Sequence, residues 1–155
     1  LGSLSNDRIL ALRLRRPEDG DDLFVRRELV RLLAARLTKS RRMLDLIPVV
    51  VKDPSPFVRQ QMASALYLAP VKAAAYWLHY LACEDPVPAV RASALAASLE
   101  GEPRRDLWDA LLNILVHTLE SESNEFVVRT ALLVAVKTIE PAEDSNCEDR
   151  AESNS

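Results

Sequence analysis

Two segments of this chain repeat one another 32 residues apart: DPSPFVRQQMASAL from Asp53 to Leu66 and DPVPAVRASALAAS from Asp85 to Ser98. A unit that recurs at such a period cannot bury its apolar face alone, so it must stack on its copies, which constrains the chain to a repeat architecture. Fainter copies flank the pair, LFVRRELVRLLA from Leu23 to Ala34 and FVVRTALLVAV from Phe126 to Val136. A Val-Arg dipeptide therefore recurs at Val25, Val58, Val90 and Val128.

The repeated unit reads as two helices joined by a sharp corner. Apolar residues recur at three and four rather than at two, and only three glycines interrupt 155 residues, so the chain is expected to be all-α. In the best copy the first helix is RRMLDLIPVVVK, Arg41 to Lys52, with Leu44, Ile47 and Val51 on one face. Pro54 ends it, because the residue before a proline is pushed out of the helical region. Pro56 then falls near the first position of the second helix, where its fixed φ is already helical. Asp53 is placed to cap that second helix through its carboxylate.

Applied along the chain, the same ruler puts first helices at Leu4 to Arg15, Arg41 to Lys52, Val71 to Cys83 and Arg104 to Leu119. Three and six residues after each repeat arginine stand Leu29 and Leu32, Met62 and Ala65, Ala94 and Ala97, Leu132 and Ala135, read as inward-facing positions that let layers approach closely. The expected architecture is a right-handed α-solenoid of about four hairpins, with units near 4–37, 41–69, 71–100 and 104–140. Residues 1–140 form the repeat domain, and 141–155, within PAEDSNCEDRAESNS, read as a disordered acidic tail with little to bury. The chain opens at Leu1-Gly2-Ser3 without a methionine and is read as a piece of a longer protein.

With the corner and its arginine in place, the pattern resembles the HEAT-repeat family. The matching residues are Asp53, Pro54, Val58, Arg59, Ala65 and Leu66, then Asp85, Pro86, Val90, Arg91, Ala94 and Ala97. Pro48 matches the proline that often kinks a HEAT first helix. The resemblance covers residues 4–140 and implies the superhelix together with a ladder in which turn Asp and helix Arg join neighbouring repeats. Asp53 with Arg59 and Asp85 with Arg91 fit its spacing of six, whereas Gly20 and Ser123 stand where the outer repeats would need a carboxylate. The resemblance specifies architecture and is nearly silent on activity.

Composition removes several classes of function. No stretch approaches the roughly 18 apolar residues of a membrane span, and the first 30 residues lack a signal-peptide core. The two cysteines, Cys83 and Cys147, form no spaced framework, which fits an intracellular protein of cytoplasm or nucleus. There is no Gly-rich phosphate loop, no flanked serine nucleophile and no cluster at metal spacing, so no enzyme, no metal, no cofactor and no small-molecule substrate are expected. His79 and His117 stand 38 residues apart in equivalent first helices; they read either as a pair of ligands or bases or, the favoured reading, as two positions on one outer row. Trp77 and Trp108 read as core fillers, Tyr76 is left open, and Asp106 and Asp109 read as acids at the positive end of the last first helix.

Charge is graded along the chain. Residues 1–59 hold 13 Lys and Arg against 8 Asp and Glu, residues 60–139 hold 6 against 9, and residues 140–155 hold 1 against 6. The basic start includes Arg13, Arg15, Arg16, Arg26, Arg27, Arg31, Arg36, Arg41 and Arg42, either a solvated face or a surface for an acidic protein or for phosphates. One, five and eight residues after the repeat arginines the concave face reads Arg27, Arg31 and Ala34; Gln60, Ser64 and Tyr67; Ala92, Ala96 and Leu99; Thr130, Val134 and Lys137. A shallow groove of small residues with basic ends suits a helix or extended peptide. The expected function is a non-catalytic protein-interaction scaffold that binds an acidic or helical peptide through Arg27, Arg31, Gln60, Ser64 and Tyr67. Nucleic-acid binding through the arginine-rich first repeats ranks second, because the net charge of -3 opposes it.

Overall fold

The computed structural model describes residues 2–15, 23–99 and 104–139. Its elements are α1 (Gly2–Arg15), α2 (Leu23–Ala34), α3 (Arg41–Leu44), α4 (Ile47–Val50), α5 (Pro56–Leu66), α6 (Val71–Glu84), α7 (Pro88–Ala96), α8 (Trp108–Ser121) and α9 (Glu125–Ile139). Single 3-10 turns occupy Ala97–Leu99 and Arg105–Leu107. The described residues are helical with no strand among them, as the apolar periodicity requires. Gly20 and the acidic tail at 141–155 lie outside the described residues.

The helices that carry the repeated arginine pack in succession, α2 on α5, α5 on α7 and α7 on α9. The alternate helices flank them: α6 packs on α7 and α8, α8 packs on α9, and α1 packs on α2 and α4. Small buried residues at the crossings, among them Ala63, Ala65, Ala92, Ala94 and Ala131, let backbones approach, while Leu33, Met62, Leu66, Leu81 and Leu95 fill the spaces between layers.

The segment from Arg41 to Lys52 is not one helix. It breaks after Leu44 into two short pieces because Pro48 has no N–H for the Leu44 carbonyl and its ring crowds that turn. The chain tightens to compensate: the Leu46 N–H donates to the Met43 carbonyl at 3.2 Å, and α4 restarts with Val50 donating to Leu46 at 3.1 Å. Met43, Leu46, Ile47 and Val50 remain buried through the break, so the interruption costs regularity and keeps the apolar face.

At the two ends the expected inward positions depart from the pattern. Leu32 and Leu132 are exposed, and the buried rows are Val30, Leu33 and Leu37 near α2 and Val127, Ala131 and Val134 in α9. Val134 and Ala92, expected on the concave surface, are therefore inside. The cause in α9 is one-sided packing: α7 and α8 cover one flank, and no described helix covers the flank carrying Leu132. Trp108 is likewise no core filler; it is 41% exposed and starts an open apolar stripe on α8 that continues through Leu112, Val116 and Leu119. Trp77 is half-buried against the core, edge-on to Tyr76 and Tyr80.

Because the layers meet through fully buried leucines, Leu95→Ala in α7 is expected to destabilise the chain by about 2–5 kcal/mol through lost contact and the cavity left behind. Urea unfolding measures this, and a loss below about 1 kcal/mol would mean that α7 is not clamped between α5 and α9.

Candidate functional site

Three corners of the chain carry one hydrogen-bond device. At the α5 corner the Asp53 carboxylate accepts the Ser55 N–H at 2.8 Å, at the α7 corner Asp85 accepts the Val87 N–H at 2.9 Å, and before α9 Glu122 accepts the Asn124 N–H at 2.8 Å. Each carboxylate thus holds its own corner shut two residues on, as aspartate does in turns. Asp53 therefore holds the corner ahead of α5 and does not cap the first turn of the helix, whose N-cap residue is Ser55.

Each carboxylate also receives the arginine of the preceding repeat. Arg59 grips Asp85 through Nε and Nη2 at 2.7 and 3.0 Å, and Arg91 grips Glu122 through the same atoms at 2.6 and 3.0 Å. The remaining Nη1 turns back: Arg59 donates to the Asp53 carbonyl and Arg91 to the Asp85 carbonyl, each at 2.8 Å. The spacing of six thus connects an arginine to a backbone oxygen of its own corner, while the charged partner belongs to the next corner. Asp53, Arg59, Asp85 and Arg91 all meet in this chain of contacts. Arg26 continues it backwards to Asp53 at 3.7 Å, with its Nε buried and unpartnered among the described residues. The contacts stop at Arg129, which pairs instead with Glu125 on its own exposed helix surface.

The pairing is desolvated. The Arg59 and Asp85 side chains retain 10% and 2% of their accessible surface, so the bidentate geometry has to compensate for the loss of water on both ions. The hydrogen bond to Asp85 pushes the Arg59 pKa above its already high ordinary value. Glu122 shifts the opposite way: the hydrogen bonds from Arg91 hold its carboxyl below the usual range against a smaller opposing effect of burial.

Six residues before Arg129 stands Ser123, with Glu122 and Glu125 nearby, so the spacing alone leaves open which carboxylate, if any, serves this corner. The carboxylate sits one position earlier, and the extra methylene of glutamate spans the shift. The legible signal was Glu122-Ser123-Asn124 ahead of an apolar helix, with the Asn124 side chain accepting the Phe126 and Val127 N–H groups to cap α9.

The residues expected to contact a partner are in different situations. Arg27 and Arg31 are exposed, with Arg31 bonded to Glu28 at 2.8 Å. Gln60 is half-buried and ties α5 to α7, donating to the Ala89 carbonyl and the Ser93 hydroxyl. Ser64 is half-buried. Tyr67 is only 6% exposed: its hydroxyl accepts the Arg104 N–H while Arg104 reaches the Tyr67 and Ala69 carbonyls at 2.8 and 2.6 Å. Arg104 also takes Asp106, which accordingly neutralises a neighbouring guanidinium and is not a free acid at a helix start. The Asp109 side chain remains in the first turn of α8.

Tyr67 instead forms a wall of a cavity of about 260 Å³. Leu78 of α6, Ala94 of α7, Ser98 and Leu99 of the following turn, and Leu111 and Ile114 of α8 line it, with Lys137 and Thr138 of α9 completing the wall. This is a mostly apolar chamber where α6, α7, α8 and α9 come together. On the outer side, His79 and His117 come together with ring centroids 5.9 Å apart. Burial pushes the nearby Cys83 thiol up to about 11, with lesser contributions from Glu84 and Glu122. No group of three or more His, Cys, Asp or Glu among the described residues is arranged to hold a metal ion. No helix among them is long and apolar enough to cross a membrane.

No protein-family model, curated protein or solved structure matches the chain.

The depressed pKa of Glu122 makes its contribution pH-dependent. A carboxylate whose folded pKa lies below its unfolded value stabilises the fold above the ordinary carboxylate range, near about pH 4.3, and the contribution is lost as pH falls through the folded value. Glu122→Gln is expected to be less stable than the native chain by about 1.5–3 kcal/mol at pH 7. Thermal melts across pH 7 to 3 test it: the difference should shrink below the ordinary carboxylate range, and a constant difference would contradict the Arg91 pairing.

Proposed function

We propose that this chain is a HEAT-like, right-handed α-solenoid that serves as a non-catalytic protein-interaction scaffold, holding a peptide or helix of its partner along the concave row of arginine-bearing helices. The succession of α2, α5, α7 and α9 and the charge-linked corners between them support the architecture.

The observation that carries the binding role is the chamber between the third and fourth hairpins. Apolar walls with a few convergent polar groups are the composition of a recognition pocket, yet about 260 Å³ falls below the roughly 300–1,000 Å³ of drug-sized sites. That volume suits a bulky side chain projecting from a larger ligand. Lys137 in the wall is exposed and has no ion pair among the described residues, which favours a carboxylate beside the anchoring residue. Arg27, exposed at the far end of the row, extends the preference for acid. Arg26, Arg31 and Arg36 are engaged by Asp53, Glu28 and Asp7, leaving fewer open cations for a phosphate backbone, so a protein ligand is favoured over nucleic acid.

Selection from a displayed random peptide library on the immobilised chain tests this reading. Enriched peptides are expected to share one large apolar residue with Asp or Glu close by. Ser98→Trp, which fills the chamber, and Lys137→Glu should each weaken them at least tenfold, and Arg27→Glu with Arg31→Glu should weaken them further. Failure to enrich any peptide, or unchanged affinity in Ser98→Trp, would refute it.

A further inference from the structure

The two histidines of the chain do more than share a row. They stand 38 residues apart in sequence, on α6 and α8, and the packing of these helices brings their rings to 5.9 Å between centroids with a 39° tilt. Both side chains are exposed, and neither imidazole has a hydrogen bond or ion pair among the described residues. The Ser121 hydroxyl donates to the His117 backbone carbonyl and not to its ring. Both rings therefore keep their nitrogens available.

We propose that His79 and His117 form a two-histidine site for a divalent first-row transition ion such as Ni²⁺, Cu²⁺ or Zn²⁺, clipping α6 to α8 across two successive hairpins. The distance fits. An ion about 2.1 Å from one nitrogen of each ring lies roughly 3.2 Å from each centroid, so two rings on one ion stand about 5–6 Å apart at tetrahedral to wider angles. Imidazole is the borderline ligand these ions prefer, whereas Mg²⁺ and Ca²⁺ favour oxygen. The helices hold the two ligands in place before the ion arrives, so little further ordering is needed on binding. Water fills the other coordination positions, which makes the site weaker than a closed four-ligand centre and open to exchange.

The surroundings neither block the site nor complete it. His79 shares a shallow depression with Lys72, Tyr76, Tyr80, Glu84 and Asn113. His117 shares another with Cys83, Arg91, Ser121 and Glu122. Arg91 is already bound to Glu122, leaving, among the described residues, Lys72 as the open cation and Glu84 as the open anion beside the pair. Cys83, one turn beyond His79, is half-buried, and that burial pushes its thiol up to about 11.

Isothermal titration of the untagged chain with NiCl₂ and with ZnCl₂, paired with thermal melts, tests the site. One ion should bind per chain. At metal about 100-fold above the dissociation constant the melting temperature should rise by about 5–10 °C, while MgCl₂ leaves it unchanged. His79→Ala and His117→Ala should each reduce affinity at least tenfold while melting like the native chain without metal, and Cys83→Ser should bind nickel as the native chain does. No shift with either metal in the native chain, or an undiminished shift in the double histidine variant, would overturn the proposal.

Discussion

The pairing of Arg59 with Asp85 is the contact on which the rest of the structure depends. Two ions lose nearly all their water there, and each satisfies its remaining atoms on the backbone of a corner: Arg59 on the Asp53 carbonyl, Asp85 on the Val87 N–H. One side-chain pair thus joins a helix to its own corner and to the next. Because an unpaired buried charge costs several kcal/mol, the two hairpins have one acceptable offset, and sliding either helix by a turn would strand both ions. Apolar contact among Ala, Leu and Met is far less particular about register; it contributes the adhesion while the ions select the alignment.

The same device explains what the surface can do. Residues that the repeats share are consumed in closing corners and joining layers, so they are withdrawn from any partner. Gln60 and Tyr67 follow them inward, one bridging α5 to α7 and the other supporting Arg104. What remains open is what differs between units: Arg27 at one end, the apolar chamber with Lys137 towards the other, and the histidine pair on the outer helices. The packing of α6 on α8 brings His79 and His117, far apart in sequence, together without any local motif to announce them.

Much of the fold was legible because it is written in local signals. The 3.6-residue periodicity, the proline pairs and the Asp-to-Arg spacing placed the helices and corners to within a few residues. The break after Leu44 was visible as Pro48 but reads from sequence as a kink, since the 3-10 tightening around Met43 and Leu46 depends on what packs beneath. The candidate site was far less legible. Exposure at the chain ends depends on whether another layer follows, which misplaced Leu132, Val134 and Trp108. The role of Glu122 stays open in sequence because a longer side chain can serve from one position away. Arg104 escaped because its role lies in the carbonyls of Tyr67 and Ala69, more than thirty residues earlier, and no spacing rule reaches that far.

A double-mutant cycle on Arg59 and Asp85 tests the register-setting role of this ion pair most directly. Urea unfolding of Arg59→Met, Asp85→Leu and the combined variant would give the three free energies. Each single change should cost about 3–5 kcal/mol, because it leaves a buried charge unpaired, and the double variant should lose much less than the sum. Strict additivity of the two losses would contradict the account, for it would mean that the two charges do not depend on one another.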